Sequence, residues 1–346
     1  DAYGHGAVEV ARALEPLGVA GFAVARPEEG VELREAGARA RILVGSPVHP
    51  ESLPQLARHD LTPIVSGLDQ LDTLEAFAYA SGWRPAVHLK VDTGMHRLGV
   101  PLDQAGTAFD RLRGSHLVRW EGLLSHLADA ELPSSATNEL QTSAFDELLA
   151  RLSPAEHESL AVHLANSAGA LRLPRTRHDF VRPGLALYGG AVPGSPLGVE
   201  PVLALRGRIV QVQLVAAGER VGYGGRWRAE RASRVGIVGI GYADGYPWRA
   251  GGKAEALVRG RRAPVVGAVS MDLLALDLTG LDAETGDEAT LVGRQGAEQI
   301  TVAELAERAG TIPYEVLCHL RLRLPRVWLR AGHAPATVEG TAAEAR

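Results

Sequence analysis

The sequence has a single cysteine, Cys318, so no internal disulfide can form, which fits a reducing compartment. Lysine is almost as scarce. Only Lys90 and Lys253 occur, and 34 of the 36 basic residues are arginine, a bias that GC-rich coding explains without any function. No apolar run approaches the roughly 18 residues that a membrane helix requires. There is no CxxC and no HExxH, which removes the commonest zinc signatures, and no Walker A loop. The nearest approach to a dinucleotide fingerprint, Gly239-Ile-Gly241-Tyr-Ala-Asp244, ends in Asp and is too weak to carry one. A net charge of −5 without a basic stripe argues against nucleic-acid binding. The chain opens at Asp1 rather than Met and reads as a fragment or a processed chain, so the lack of a targeting segment excludes nothing.

Two textures follow one another along the 346 residues. In the first, short β-branched runs predict strands at Val19–Ala25, Arg41–Gly45, Thr62–Ser66, Ala86–Asp92, Leu117–His126, Leu160–Ala165 and Asp179–Arg182. Between most of them lie stretches of helical spacing: Pro27–Gly37, Leu71–Ala80, Pro101–Arg113 and Asn138–Leu152, after an opening helix at Ala7–Leu17. Strand–helix alternation with short connections predicts a parallel α/β arrangement. Seven strands are one short of a closed (β/α)₈ barrel, and the eighth is expected just upstream of Asp1. A Pro/Gly-rich stretch near Gly194–Pro201 marks a boundary. Beyond it, strands at Leu203–Leu214, Arg234–Ile240, Glu255–Val258, Ala263–Val269, Leu273–Leu278 and Glu288–Val292 predict a mostly β domain. Its one helix, Thr301–Ala309, carries a capping box of Thr301 and Glu304. The expected division is a barrel domain over 1–198, a β domain over 199–333 and a mobile tail over 334–346.

Polar residues gather at the strand ends of the first half: Tyr3 and His5, Lys90 and Asp92 with Arg97 on the following loop, His126, then His163, Asn166 and Ser167, then Arg182 and Gly184. In a barrel these ends converge on one mouth, where active sites are built. Asn166-Ser167 at a helix start and Arg182-Pro-Gly184 offer hydroxyls and free backbone N–H groups, a cup that suits a phosphate. Read singly, Ser167 is equally a plain helix N-cap, and Tyr223, in the turn Gly222-Tyr-Gly-Gly225, an ordinary surface tyrosine.

The same residues sit in nine motifs in order along the chain. They are Asp1-Ala-Tyr-Gly-His-Gly, Lys90-Val-Asp-Thr-Gly-Met-His-Arg-Leu-Gly, Ser125-His-Leu-Ala, His163-Leu-Ala-Asn-Ser, Arg182-Pro-Gly-Leu-Ala-Leu-Tyr-Gly, Val221-Gly-Tyr-Gly, Gly241-Tyr-Ala-Asp-Gly-Tyr, Val269-Ser-Met-Asp and Gly310-Thr-Ile-Pro-Tyr-Glu. In this ordered set the chain resembles the alanine racemases, fold-type III enzymes that depend on pyridoxal 5'-phosphate (PLP).

The resemblance implies a PLP-binding (β/α)₈ barrel followed by a β domain, in a cytoplasmic homodimer with shared active sites that interconverts L- and D-alanine and supplies D-alanine for peptidoglycan. It makes Tyr223, from the partner subunit, one of two bases, with His126 bonded to Arg182 and Arg182 facing the pyridine nitrogen. A guanidinium does not readily surrender its proton, which favours racemisation over transamination. PLP would be bound by Tyr3, His163, Asn166, Ser167, Arg182, Gly184, Leu185 and Tyr314, and the substrate carboxylate by Arg97 and Met271. Lys90 matches the family's carbamylated lysine. The PLP-anchoring lysine, the second base, belongs two residues before Asp1, so the chain as written is expected to be inactive alone. His96, Trp248 and Ala268 stand where the family commonly has Gly, Arg and Arg. The alternatives are a racemase of broader specificity, such as one acting on serine, and a non-catalytic PLP-binding relative.

Overall fold

A computed structural model of the chain describes residues 1–190, 199–320 and 323–329. The boundary expected near Gly194–Pro201 falls largely outside these residues, and the expected tail at 334–346 lies wholly outside them.

The first half is a curled parallel sheet. Its strands are β1 (Gly21–Val24), β2 (Arg41–Val44), β3 (Thr62–Val65), β4 (Ala86–Asp92), β5 (Val100–Pro101), β6 (Arg119–Leu124) and β7 (Ala161–His163). They run in sequential order, β1-β2-β3-β4-β6-β7, with β5 pairing to β4 off this path. Sequential parallel order with a helix between most strands is the winding of a barrel, and it directs every strand's C-terminal end to one side. The helices Pro27–Glu35, Leu68–Ser81, Ala105–Gly114 and Ala136–Leu149 cover the outside, close to their expected positions. Leu71, Leu74, Phe109, Phe145 and Leu148 of these helices are buried against the strands.

The strand expected at Asp179–Arg182 is not formed. One parallel bridge, His163 to Phe180, joins this segment to the sheet, with the Asp179 and Phe180 N–H groups donating to the Val162 carbonyl and the Val162 N–H to Asp179 Oδ2. The segment turns inward because the Arg182 N–H donates to the Ala165 carbonyl and the Arg182 side chain takes up further carbonyls, as detailed below. Three short helices, Leu53–Arg58, Pro154–Ser159 and, in the second half, Pro313–His319, were not expected. They are six or seven residues long, too short for their periodicity to stand out.

The second half is antiparallel. Its strands are β8 (Leu205–Val215), β9 (Arg220–Val221), β10 (Trp227–Arg228), β11 (Ser233–Val238), β12 (Glu255–Val258), β13 (Arg261–Val266), β14 (Leu274–Asp277), β15 (Glu288–Gln295) and β16 (Glu298–Ile300). The order is β12-β13-β14-β11-β8-β15-β16, and β12 pairs with β15 as well, which closes six strands into a small barrel. The β9–β10 hairpin stands apart from it and carries the turn Tyr223–Gly225. The helix Val302–Ala309 begins at the expected cap, with the Glu304 N–H donating to Thr301 Oγ1 at 3.0 Å. The other half of the capping box is missing. The Glu304 carboxylate instead takes Arg262, whose guanidinium also meets Glu255 and Glu298, at 2.5, 2.9 and 3.0 Å.

The chain's first residues pack against the second half. The ring of Tyr3 lies 5.8 Å from that of Tyr314 in the helix Pro313–His319, and Trp328 Nε1 donates to the His5 carbonyl at 3.2 Å. No helix among the described residues is long and apolar enough to cross a membrane.

Candidate functional site

Lys90 and Asp92 end β4, His163 ends β7, and Ser125 and His126 follow β6, so parallel pairing brings them to one rim. Arg182 lies at its centre. Its Nη1 donates to His163 Nδ1 at 2.7 Å and to the His163 carbonyl at 2.9 Å. Its Nη2 donates to the carbonyls of Ser125 and Leu164 at 2.6 and 3.1 Å. His126 Nδ1 is a longer contact at 3.4 Å. The expected pairing of Arg182 with His126 is thus the weakest of its bonds. Burial pulls the guanidinium down to about 10, which leaves it charged near neutral pH. The histidines go the other way. Burial first, and the Arg182 charge after it, lower His126 to about 3 and His163 to about 2, so both stay neutral.

Behind His163 lies His88, which the sequence reading passed over. His163 Nε2 is 2.8 Å from His88 Nδ1, and both rings are 1% exposed. Room for His88 comes from Gly122, its register partner on β6. A Cβ at 122 would stand 2.3 Å from His88 Nδ1. The one clue in the sequence is a histidine at an inward position two residues before Lys90.

Lys90 is lowered to about 8 by burial first and by the charges of Arg97 and Arg182 next, with Asp92 opposing. A lysine so placed keeps a usable fraction of neutral amine. The loop after Asp92 is organised by that carboxylate. Asp92 Oδ1 accepts the N–H groups of Gly94, Met95 and His96 at 2.9, 3.0 and 3.1 Å. His96 has φ +54, a left-handed conformation that glycine adopts without strain. Its ring meets Asp92 Oδ2 at 3.2 Å. Arg97 projects from this loop, exposed.

The cup differs in one respect from the expectation. Asn166 is the helix N-cap, its Oδ1 accepting the Gly169 N–H at 2.9 Å. Ser167 is therefore not a cap. Its buried hydroxyl accepts the N–H groups of Gly184 and Ala186 at 2.8 and 3.2 Å. The Gly184 N–H is spent on Ser167 rather than free. Glycine at 184 makes room for Tyr3, because a Cβ there would lie 2.3 Å from Tyr3 Oη and displace that ring. Leu185 is buried beside it at the start of a 3₁₀ turn. Tyr3, Ser167, Gly184 and Leu185 thus form one wall, and Tyr314 is linked to it through the Tyr3 ring. Burial raises both the Tyr3 and Tyr314 phenols, the latter to about 12, so they remain hydrogen-bond donors.

Two of the expected residues sit on the β domain. Tyr223 tops the β9–β10 hairpin and is 75% exposed. Met271 is exposed, and its carbonyl accepts the Ala243 N–H. Tyr242, Trp248 and Leu273 of the same domain are also exposed. Trp248 is held by the Arg226 guanidinium, 4.7 Å from its ring centre, and Ala268 backs Gly222 at the base of the hairpin.

Comparison with known proteins covers both halves. The model of the alanine racemase N-terminal domain matches residues 1–192, and that of the C-terminal domain matches 202–328. The alanine racemase of Syntrophobacter fumaroxidans is 39% identical over 326 residues, 92% of this chain and 86% of that protein. That of Sorangium cellulosum is 40% identical over 338 residues, 95% of this chain and 89% of that protein. The solved biosynthetic alanine racemase of Pseudomonas aeruginosa superposes with a TM-score of 0.86 at 38% identity, covering 95% of this chain and 90% of that one. An alanine racemase from Bartonella henselae, solved with covalently bound pyridoxal phosphate, gives a TM-score of 0.86 at 29% identity, covering 95% and 90%.

Proposed function

The chain belongs to the alanine racemase family, and on that premise we propose that it interconverts L- and D-alanine with PLP as cofactor, as a cytoplasmic homodimer serving peptidoglycan synthesis. The observation that carries the reading is Arg182, a charged guanidinium held by three carbonyls and an imidazole at the rim where the strands end.

The residues present fit PLP. Tyr3 and Ser167 supply hydroxyls for a phosphate, and position 184 is a place where a side chain would fill the cradle. PLP, when bound, supplies the electron sink that makes the Cα proton of an amino acid removable. Arg182 would donate to the pyridine nitrogen without giving up a proton. His126 and His163, both neutral, brace Arg182 rather than act as acids. Both ring nitrogens of His163 are engaged, by Arg182 and His88, so its part is played through Arg182. Arg97 and Met271 would hold the substrate carboxylate. Tyr223 would hold or take the proton on one face of Cα, and the lysine that the family places two residues before Asp1 would serve the other. Tyr223 is exposed on its own subunit. A partner docked there would take Tyr223 into its own rim.

The test is the chain extended upstream by a family-type strand that ends in lysine two residues before Asp1. Supplied with PLP, it should convert either enantiomer of alanine to an equal mixture, followed by chiral chromatography. Retention of the starting enantiomer would overturn the proposal.

Two further outcomes are expected. Gly184→Ala forces Tyr3 aside at a cost of about 1–3 kcal/mol, so PLP retention should weaken by about tenfold or more, measured by titrating cofactor against the protein's fluorescence. Lys90 should carry a carbamate, since carbamylation needs the neutral amine that burial and two arginines favour. The resulting anion would pair with Arg97. A crystallographic map showing a plain ammonium at Lys90 would exclude it.

A further inference from the structure

The helix Ala136–Leu149 buries Asn138, Gln141, Thr142, Phe145 and Leu148, which share one face by their spacing. The later part of that face is apolar, but its first turns present two amides and a hydroxyl. A helix between two parallel strands runs back against them, so those first turns lie at the level of the rim. A buried amide is costly unless its bonds are made. Gln141, 1% exposed, uses both ends of its amide. Its Nε2 donates to the His126 carbonyl at 3.0 Å and to Thr93 Oγ1 at 3.4 Å, and its Oε1 accepts the Ala128 N–H at 2.8 Å.

These partners belong to two segments that leave the sheet. Backbone pairing of β4 with β6 ends at Lys90 and Leu124. Beyond that pair, one segment carries Asp92, Thr93 and Arg97, and the other carries Ser125 and His126. Side chains join them there. Thr93 Oγ1 and Ser125 Oγ, both buried, share a hydrogen bond at 2.8 Å. Among the described residues, Gln141 is the one side chain outside the two segments that bonds to both. A Cβ on Gly94, at φ +130, would stand 3.5 Å from Gln141 Cγ, so the Arg97 loop also lies along the glutamine stem. On the other side, the Ser125 carbonyl takes Arg182 Nη2 at 2.6 Å. One amide thus reaches from the loop that projects Arg97 to the backbone that seats Arg182.

We infer that Gln141 is a positioning residue of the candidate site, its amide holding the Arg97 loop in place against the backbone that receives Arg182. The pairing of β4 with β5 closes that loop at its base, and Asp92 shapes it from within through three N–H groups. Thr93 and Gln141 set it against the neighbouring segment. On the racemase reading, Arg97 stands at the substrate carboxylate and Arg182 at the cofactor ring nitrogen. A constant separation between them keeps the Cα–H bond facing its base, and small misplacements are costly in such a geometry. Only this consequence rests on the racemase reading; the tie between the two segments does not.

The experiment is amide hydrogen exchange, read by mass spectrometry over residues 92–97 and 125–128, joined to kinetics in the chain extended by the upstream lysine. Thr93→Val keeps the side-chain shape and removes the hydroxyl, and exchange over 92–97 should quicken by about tenfold or more. Gln141→Leu should quicken both stretches together, and Thr93→Val alone decides the matter if that variant does not fold. Asn138→Ala, one turn earlier on the same helix face, frees the Asp129 and Leu132 carbonyls and should leave 92–97 at the starting rate. In the extended chain, Thr93→Val should raise KM for alanine by about tenfold while kcat changes by less than about threefold. Exchange over 92–97 that Thr93→Val leaves unchanged, or that Asn138→Ala quickens as much, would overturn the tie whether or not alanine is racemised. Quickened exchange with an unmoved KM, in a chain that racemises alanine, would overturn the positioning role.

Discussion

Tyr223→Phe is expected to lower kcat in both directions by about 10²–10⁴-fold, in a chain that carries the upstream lysine, with KM for alanine little changed. The substitution removes one hydroxyl and nothing else. The ring is already exposed on its own subunit, so stability should be unaffected. Because the proposed site is shared, a second measurement isolates the role. A Lys-to-Ala variant at the upstream position is inactive for the opposite reason. Mixed dimers of the two variants hold one site with both bases and one with neither. Activity should then appear on mixing and reach about half the wild-type value per dimer, from isologous pairing. Verified mixed dimers no more active than either parent would refute the cross-subunit role, and a kcat that survives Tyr223→Phe would refute Tyr223 as a base at all.

Mild acid should destabilise the fold steeply. His88 is lowered to about 3 and His163 to about 2, by burial and the charges of Arg41 and Arg182, against an ordinary value of 6.5. Both stay neutral in the native state, while the unfolded chain takes up two protons as the pH falls below 6.5. The stability is therefore fully present above that value and is lost as the pH falls towards the native values. The slope approaches about 2.7 kcal/mol per pH unit once the unfolded rings are charged. Against a typical total of about 5–15 kcal/mol, two units of acid would consume much of the margin. Urea midpoints taken between about pH 6.5 and 5 read this slope together with that of the other lowered histidine of the rim, His126. His88→Gln should reduce the slope by about 1.4 kcal/mol per pH unit. A midpoint that does not move across that window would mean the pair is protonated in the native state.

The site residues at strand ends were legible because a barrel makes position speak. Lys90, His126 and His163 lie at or just beyond strand ends that the parallel order carries to one rim, and Asn166 and Arg182 reach it from the segments that follow β7. What lay behind them was not legible. His88 sits mid-strand among apolar neighbours, and its space depends on Gly122, which is 34 residues away in sequence and opposite only through the β4–β6 register. Arg41 and Glu121 look like two surface charges until the sheet sets them side by side. The segment Asp179–Arg182 reads as a strand from its residues, yet the demand of Arg182 for carbonyl partners turns it out of the ladder. Ser167 next to Asn166 offers two candidates for one cap, and local pattern does not distinguish the residue that caps from the one that reaches across to Gly184. In the β domain the six longer strands were found, but not the two- and three-residue strands β9, β10 and β16, nor the pairing of β12 with β15 that closes the sheet, since closure is a long-range property that no window of sequence displays.

Heating shifts the balance at Arg262. Its guanidinium gathers Glu255, Glu298 and Glu304, which belong to β12, β16 and the helix Val302–Ala309. Near room temperature, gathering partly exposed charges gains little, because water solvates them nearly as well. Hydration of ions becomes less favourable as temperature rises, so the desolvation cost of such a cluster falls while the gain from apolar burial levels off. The carboxylate that Glu304 withholds from its own helix cap thus fastens that helix to two strands more firmly in the heat than in the cold.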